Sequence, residues 1–276
     1  MLKNNYHTHM KYCNHAIGDV IDYVKEAVDL KMTELGMTDH APILESFMTK
    51  EEYDHNMCYE NMKLDMIDSY LAQIEESRKI YGNKIKIYSG FESEFIPKEI
   101  EFYKNLRKRV DYLNLGIHFY PDIDGKIIDS YEGINYKNVI QYANIAIKGM
   151  ETGLFNVLVH PDLFMYAYEN IEGKREFDEF AEKASIMIIE SAIKNNVYVE
   201  INCNNLRNYD KLDQYETFRY PYYKFWEIAK NYKDLKIIIG ADAHDPKNLS
   251  GAHIEAVIEF AKKLGLNVLE KMEINH

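Results

Sequence analysis

Short apolar runs alternate with longer amphipathic segments along this chain. The clearest runs span residues 84–90, 112–116, 156–160, 197–201 and 236–240, and weaker ones span 33–38 and the residues just before His7. The segments between them repeat apolar residues every three or four positions, as in 19–30 and 181–193. This alternation predicts seven strands of a parallel sheet joined by helices.

Seven such units indicate an incomplete or distorted (β/α) barrel, although the periodicity alone also fits an open parallel sheet. A length of 276 residues suits one barrel, so we expect residues 1–276 to form a single α/β domain. The segment 43–59 has no clear helix or strand pattern. Connections of that length are usually functional or mobile, and we predict that this one is a lid over the site.

The charge balance narrows the range of partners. The chain has 33 basic and 45 acidic side chains, a formal net charge of −12, and no basic block. We therefore expect no affinity for nucleic acid or for anionic membranes. No apolar run is long enough to cross a bilayer, and Cys13, Cys58 and Cys203 are too few for a disulfide framework. These features predict a cytoplasmic protein, and they leave monomer and homo-oligomer equally open.

Residue types that bind metal ions follow nearly every predicted strand. His7 and His9 are separated by one residue, as are Asp242 and His244, so each pair can face one side of an extended segment. The other strand ends carry His40, Glu92, His118 and His160. Because the C-terminal ends of the strands in a (β/α) barrel meet at one face, we expect these side chains to converge on metal ions.

The donor atoms of this set are nitrogen and oxygen, without a thiolate cluster, which favours Zn²⁺, Mn²⁺ or Fe²⁺. The set is too large for one tetrahedral ion, so we predict two or three divalent ions that share a carboxylate. Centres with several ions are suited to displacement at phosphorus, and a hydroxide held between two ions is the predicted nucleophile.

These residues resemble the motifs of the polymerase and histidinol phosphatase (PHP) superfamily of metal-dependent phosphoesterases. The four motifs are matched by His7-Thr8-His9 with His15, by Thr38-Asp39-His40, by Glu92 with His118, and by Asp242-Ala243-His244. The stretches 90–97, 115–119, 200–207 and 240–246 are most similar to the histidinol-phosphatase branch. The resemblance implies a distorted (β/α)7 barrel and the hydrolysis of L-histidinol phosphate to L-histidinol and phosphate, a reaction of histidine biosynthesis.

The resemblance also implies which residues hold which ion. The first ion would be held by His7, His9, Glu92 and Asp242, the second by Glu92, His118 and His160, and the third by His15, His40 and His244. Arg207 would bind the phosphate together with the third ion and its ligands His15 and His244. The proton for the leaving alcohol would come from a metal-coordinated water, from Asp162 or from His55.

Three other functions remain open at this stage. The protein could catalyse the same metal-dependent hydrolysis on a different substrate, such as another small phosphomonoester, a nucleotide or a phosphodiester. The protein could bind metal without catalysis, although the complete set of ligands disfavours this. A proofreading exonuclease module is disfavoured by the acidic charge of the chain.

Overall fold

The computed structural model describes residues 1–56 and 60–274, so Cys58, His276 and the last residues of the segment 43–59 lie outside the described residues. The strands are β1 (Asn4–Asn5), β2 (Glu34–Met37), β3 (Lys86–Ser93), β4 (Tyr112–Leu115), β5 (Phe119–Pro121), β6 (Ile127–Asp129), β7 (Val157–Leu158), β8 (Tyr198–Asn202) and β9 (Ile237–Gly240). The helices are α1 (Val20–Asp29), α2 (Lys50–His55), α3 (Ile67–Tyr81), α4 (Ile100–Arg107), α5 (Val139–Glu151), α6 (Glu179–Lys194), α7 (Tyr223–Ala229) and α8 (Ala252–Leu264).

Seven of the strands form one parallel sheet in the order β1-β2-β3-β4-β7-β8-β9. The two edges of this sheet approach each other, because the His9 backbone N–H donates to the Ala243 carbonyl over 2.9 Å and Thr8 forms a parallel bridge with Ala243. The sheet is therefore a nearly closed barrel surrounded by helices. The prediction of a distorted seven-stranded barrel is confirmed, and the open sheet is excluded.

The interior of the barrel is filled at its N-terminal end. Four tyrosine rings and three aliphatic side chains pack there with Met272 from the C-terminal segment, namely Tyr6, Tyr88, Tyr112, Tyr198, Val157, Val159 and Ile238. The Tyr112 hydroxyl donates to the Tyr6 carbonyl over 2.8 Å, and the Met272 backbone N–H donates to the Tyr6 hydroxyl over 3.1 Å. Because side chains fill this end, a site inside the barrel faces the C-terminal ends of the strands.

Two elements were not predicted from the sequence. The antiparallel hairpin of β5 and β6 lies between β4 and α5, where its three-residue strands give too short a pattern to recognise. Helix α2 lies within the segment 43–59, which we expected to lack regular structure. Its N-terminus has a capping box, in which the Thr49 hydroxyl accepts from the Glu52 N–H and the Glu52 carboxylate accepts from the Thr49 N–H.

No helix in the described part of the chain is both long and apolar enough to cross a membrane.

Candidate metal centre

All nine predicted metal ligands lie together at the C-terminal end of the barrel. His7, His9, Glu92, His118, His160 and Asp242 are buried, and His15, His40 and His244 are more accessible at the mouth. His160 and Asp242 lie just beyond β7 and β9, at backbone φ angles of 33° and 48°. Side-chain-bearing residues rarely adopt this left-handed conformation, and strained positions of this kind cluster at functional sites.

His7, His9 and Asp242 form the deepest group. The Nε2 atoms of His7 and His9 are 3.0 Å apart, and His9 Nε2 lies 3.0 Å from Asp242 Oδ1. All three ligand atoms lie within 4.8 Å of one another, close enough to surround one ion. These three residues are the predicted ligands of the first ion together with Glu92.

Glu92 lies between two groups of histidines. Its Oε2 is 3.2 Å from Nε2 of both His7 and His9 and 3.3 Å from His40 Nδ1. Its Oε1 is 2.8 Å from His160 Nε2 and 3.3 Å from His118 Nε2. The two oxygens of one carboxylate therefore face different ligand groups, which is the geometry that a bridge between two ions requires.

The histidines at the mouth form a third group. The Nε2 atoms of His15 and His244 are 3.0 Å apart, and the His9 ring stacks on both His40 and His244 at centroid distances of 4.2 Å. His40 also groups with Glu92 and His118, with all three ligand atoms within 4.8 Å. Of the predicted third set, His15 thus lies beside His244, while the ligand atom of His40 groups both with those of His9 and His244 and with those of Glu92 and His118.

The electrostatics of the centre are those of a cation site. Burial by itself lowers the pKa of His7, but Glu200, Asp242 and Glu92 outweigh it and raise that pKa to about 10. Burial likewise lowers the pKa of His118, and Glu92 and Glu94 raise it to about 9. These histidines hold protons strongly because the surrounding carboxylates attract any positive charge. The same carboxylates would attract a divalent ion, which would take the place of those protons.

The donor atoms fit divalent metal ions. Pairs of imidazole nitrogens meet at 3.0–3.2 Å, and Asp242 Oδ1 is buried in no well-aligned hydrogen bond although His9 Nε2 lies 3.0 Å away. A buried carboxylate oxygen in that condition is costly unless a cation binds it. The set of imidazoles and carboxylates suits Zn²⁺, Mn²⁺ or Fe²⁺, in agreement with the sequence prediction.

A second layer of carboxylates orients the histidines, and sequence reasoning assigned none of them. Glu200 Oε2 lies 2.8 Å from His7 Nδ1, and Glu94 Oε1 lies 2.6 Å from His118 Nδ1. A carboxylate behind a metal-binding histidine fixes the tautomer that leaves the other nitrogen free for the metal. The sequence held one signal, because Glu94 follows the predicted ligand Glu92 by two residues. Alternate residues of an extended segment face the same side, so the side chain of Glu94 can lie beside that of Glu92.

Gly240 on β9 makes room for one of these carboxylates. A Cβ atom at Gly240 would lie 1.9 Å from Glu200 Oε2, so any larger residue would displace Glu200 from His7. The glycine at this position is therefore part of the support for the metal centre.

We expect Glu200→Gln to weaken the affinity for the ion held by His7 by about ten- to a hundredfold, the usual effect of losing such a supporting group. Glutamine keeps the volume but removes the charge that holds the proton on His7 Nδ1. Zinc affinity is measured by competition with a chromophoric chelator. Glu76→Gln, at an exposed position on α3, is the matched control. An unchanged affinity in Glu200→Gln would contradict the supporting role.

Arg207 and the loop after β8 lie at the wall of the cavity above the metal centre. The cavity measures about 750 Å³, and Arg207 lines it together with His15, His244 and Asn204. The Asn204 carbonyl accepts from Arg207 Nε over 3.2 Å, while the Asn204 amide donates to Asp242 Oδ2 over 3.2 Å. Asn204 therefore links the guanidinium group to a predicted metal ligand.

Asp162 does not line the cavity, and its predicted role as proton donor needs correction. Its carboxylate is fully buried, and Oδ2 accepts from the Tyr222 N–H and from Trp226 Nε1, the latter over 2.9 Å. Burial raises the pKa of Asp162 to about 7, but the group faces the start of α7 and not the reaction site. His55, the other predicted side-chain donor, is exposed at the end of α2 and does line the cavity.

A nearly closed parallel barrel that gathers histidines and carboxylates at the C-terminal ends of its strands defines a (β/α)-barrel protein with a metal-binding centre. The chain belongs to the PHP family, because the model of the PHP domain matches residues 5–204. The family predicted from the motifs is therefore confirmed.

Curated and solved proteins with similar chains support this placement. The chain is 24% identical over 163 residues to a protein of Deinococcus radiodurans named "Probable histidinol-phosphatase", a match that covers 57% of this chain and 59% of the relative. It is 26% identical over 117 residues to a protein of the same name from Schizosaccharomyces pombe, covering 41% of this chain and 37% of that one. Each match spans less than two thirds of the relative's length.

A solved structure shows the same fold. It is a histidinol phosphate phosphatase from Lactococcus lactis in complex with zinc, L-histidinol and phosphate. Its TM-score is 0.69 at 17% identity, and the superposition covers 99% of this chain and 100% of the other.

Proposed function

We propose that this protein is a metal-dependent phosphatase that hydrolyses L-histidinol phosphate to L-histidinol and phosphate. The observation that carries the reaction class is the placement of Glu92 between two groups of histidines, since paired ions suit displacement at phosphorus. The names of the relatives and the L-histidinol and phosphate in the L. lactis structure support the choice of substrate. We further propose two or three divalent ions, held as the sequence analysis assigns them.

Each residue has a defined part in this proposal. Divalent ions, when bound, supply Lewis acidity and lower the pKa of coordinated water. Glu200 and Glu94 hold His7 and His118 with Nε2 free for coordination. Arg207 binds the phosphoryl oxygens, for which its planar guanidinium group can donate two parallel hydrogen bonds. Asn204 keeps the guanidinium group close to the metal centre.

The negative charge of the chain does not oppose an anionic substrate. The excess of acidic residues gives a net charge of −12. Two or three divalent ions reverse the sign of the local field at the centre, and it is this local field that the phosphate meets. Of the two side chains that the sequence offers as proton donors to the leaving alcohol, His55 is the one that lines the cavity.

A panel of phosphate esters tests the proposed substrate. We expect kcat/KM for L-histidinol phosphate to exceed that for 4-nitrophenyl phosphate, for a nucleoside monophosphate and for bis(4-nitrophenyl) phosphate. If L-histidinol phosphate is turned over no better than the aryl ester, the choice of substrate fails while the reaction class stands. Preferential cleavage of the nucleotide or the diester would favour the alternative phosphoesterase functions.

Arg207→Ala is expected to lower kcat/KM for L-histidinol phosphate by roughly ten- to a hundredfold, because charged bidentate contacts to phosphate are among the stronger hydrogen bonds. The metal content should be unchanged, since within residues 1–56 and 60–274 the hydrogen-bonded link from Arg207 to a predicted ligand passes through Asn204. Steady-state kinetics and elemental analysis measure both quantities. Arg175→Ala, an exposed position away from the cavity, is the control. Equal kinetics in the two variants would remove Arg207 from the proposal.

A further inference from the structure

The cavity above the metal centre has two ends of unlike chemistry. In the ring of strands, β4 and β7 lie across the barrel from β9 and β1. The loops after β9 and β1 bring His244 and His15 to one end, and Arg207 after β8 lies beside them. The other end is lined by residues from the loops after β4 and β7, which are Phe119, Asp129, Tyr131, Glu132 and Tyr166.

The second end is a wall of aromatic rings beside the second group of histidines. The Tyr131 ring is parallel to the His118 ring within 4°, at a centroid distance of 6.1 Å. The Tyr166 ring meets Tyr131 edge to face at 5.4 Å and Tyr220 at 6.0 Å. Tyr220 is 5% exposed and in turn lies 6.4 Å from the His160 ring. The three tyrosine rings therefore form a continuous row between His118 and His160.

Two carboxylates at this end have no cationic partner. Among residues 1–56 and 60–274, no lysine, arginine or histidine forms an ion pair with Asp129 or Glu132. Asp129 uses Oδ1 to accept the Tyr131 N–H over 2.7 Å, which fixes its carboxylate at the end of β6. Burial, and after it the nearby Glu132, raises the pKa of Asp129 above its usual value, although His118 acts in the opposite direction.

The end of the cavity that carries the aromatic rings, Asp129 and Glu132 does not suit the phosphate of a substrate, because two carboxylates without ion pairs repel it. It suits an organic cation, since aromatic faces attract cations and carboxylates pair with them. One such contact is already present, because the Arg219 guanidinium lies 4.8 Å from the centroid of the Tyr166 ring.

We propose that Asp129, with Glu132 and the rings of Tyr131 and Tyr166, binds the positively charged leaving group of the substrate. The class of substrate is a phosphomonoester whose alcohol carries an ammonium group and a flat ring, with the ammonium paired to Asp129. This inference rests on the proposed function and deepens it, because it assigns the part of the site that selects among phosphate esters.

Asp129→Asn tests this assignment with two esters that differ in one group. The first ester is L-histidinol phosphate, and the second is 3-(imidazol-4-yl)propyl phosphate, which lacks only the α-amine. We expect Asp129→Asn to raise KM for the first about five- to tenfold, as for a partly buried ion pair, and to change KM for the second less than about twofold. Asparagine keeps an oxygen that accepts the Tyr131 N–H, so the hairpin is preserved. Glu132→Gln should act in the same direction with a smaller effect because its side chain is exposed.

The control is Asp124→Asn, which removes a charge from the exposed tip of the same hairpin, away from the cavity lining. Equal losses on both esters, or no loss on either, would overturn the cation site. Calorimetry with L-histidinol alone is independent of turnover and should show weaker binding in Asp129→Asn than in the wild-type protein. If the wild-type protein hydrolyses neither ester, the proposed function fails, and the calorimetric difference still decides whether this end binds the amine.

Discussion

Glu92→Gln is expected to lower the rate of phosphate ester hydrolysis by about a thousandfold, which corresponds to about 4 kcal/mol of transition-state stabilisation. The carboxylate contacts five histidines through two oxygens, with Oε2 facing His7, His9 and His40 and Oε1 facing His118 and His160. Glutamine has nearly the same volume but offers a neutral oxygen and an N–H donor. It therefore removes both the bridge and the negative charge that lies between the two groups of ligands.

The measurement pairs kinetics with elemental analysis. We expect the purified Glu92→Gln protein to hold at least one metal ion fewer per chain than the wild-type protein, with the far-ultraviolet circular dichroism unchanged. Glu101→Gln, on the exposed face of α4, is the matched control and should behave as wild type. Wild-type metal content together with wild-type activity in Glu92→Gln would rule out a bridging role for Glu92. Glu92→Ala gives the same test without the amide.

Removal of the metal ions is expected to abolish hydrolysis, by at least about a thousandfold, and to lower the thermal stability of the protein. The loss of rate follows because the described site offers no side-chain arrangement that replaces the Lewis acidity of the ions. The loss of stability follows from linkage. An ion that binds only the folded chain, at a free concentration about a hundred times its dissociation constant, adds about 2.7 kcal/mol to the free energy of unfolding.

Dialysis against a chelator, followed by activity and melting measurements, checks both expectations. Adding back Zn²⁺, Mn²⁺ or Fe²⁺ separately should restore the activity and the melting temperature together, and the most effective ion identifies the preferred metal. Mg²⁺ serves as the comparison, because a centre built mainly from imidazoles binds it poorly. Full activity in protein shown by elemental analysis to be free of metal would contradict the proposed reaction class.

The sequence predicted the barrel because strands buried on both faces leave short apolar runs whose spacing survives in one dimension. The predicted strand 112–116 is observed as β4, and 236–240 as β9, to within one residue at either end. Shorter elements were missed. The β5–β6 hairpin has strands of three residues, and α2 has six, so neither repeats a pattern often enough to stand out, although the Thr49 and Glu52 capping pair was visible.

The supporting groups could not be assigned from the sequence for a related reason. Glu200 and Glu94 are ordinary acidic residues in a chain with 45 acidic side chains. Their importance depends on distances of 2.8 and 2.6 Å to particular imidazole nitrogens on other strands. Asp162 shows the opposite case. Its position two residues after His160 suggested catalysis, while the structure turns its carboxylate toward Tyr222 and Trp226.

The sequence by itself determined which kinds of atoms meet at the site, since a histidine or carboxylate at the end of a parallel strand must emerge at one face of the barrel. Only the tertiary structure decided how those atoms are grouped. The closure between His9 and Ala243 brings the first and last strands together, and with them His15 and His244. The same closure sets Asp129 across the cavity from these histidines. In a closed barrel, the strands that face each other are decided by their order around the barrel and not by their separation along the chain.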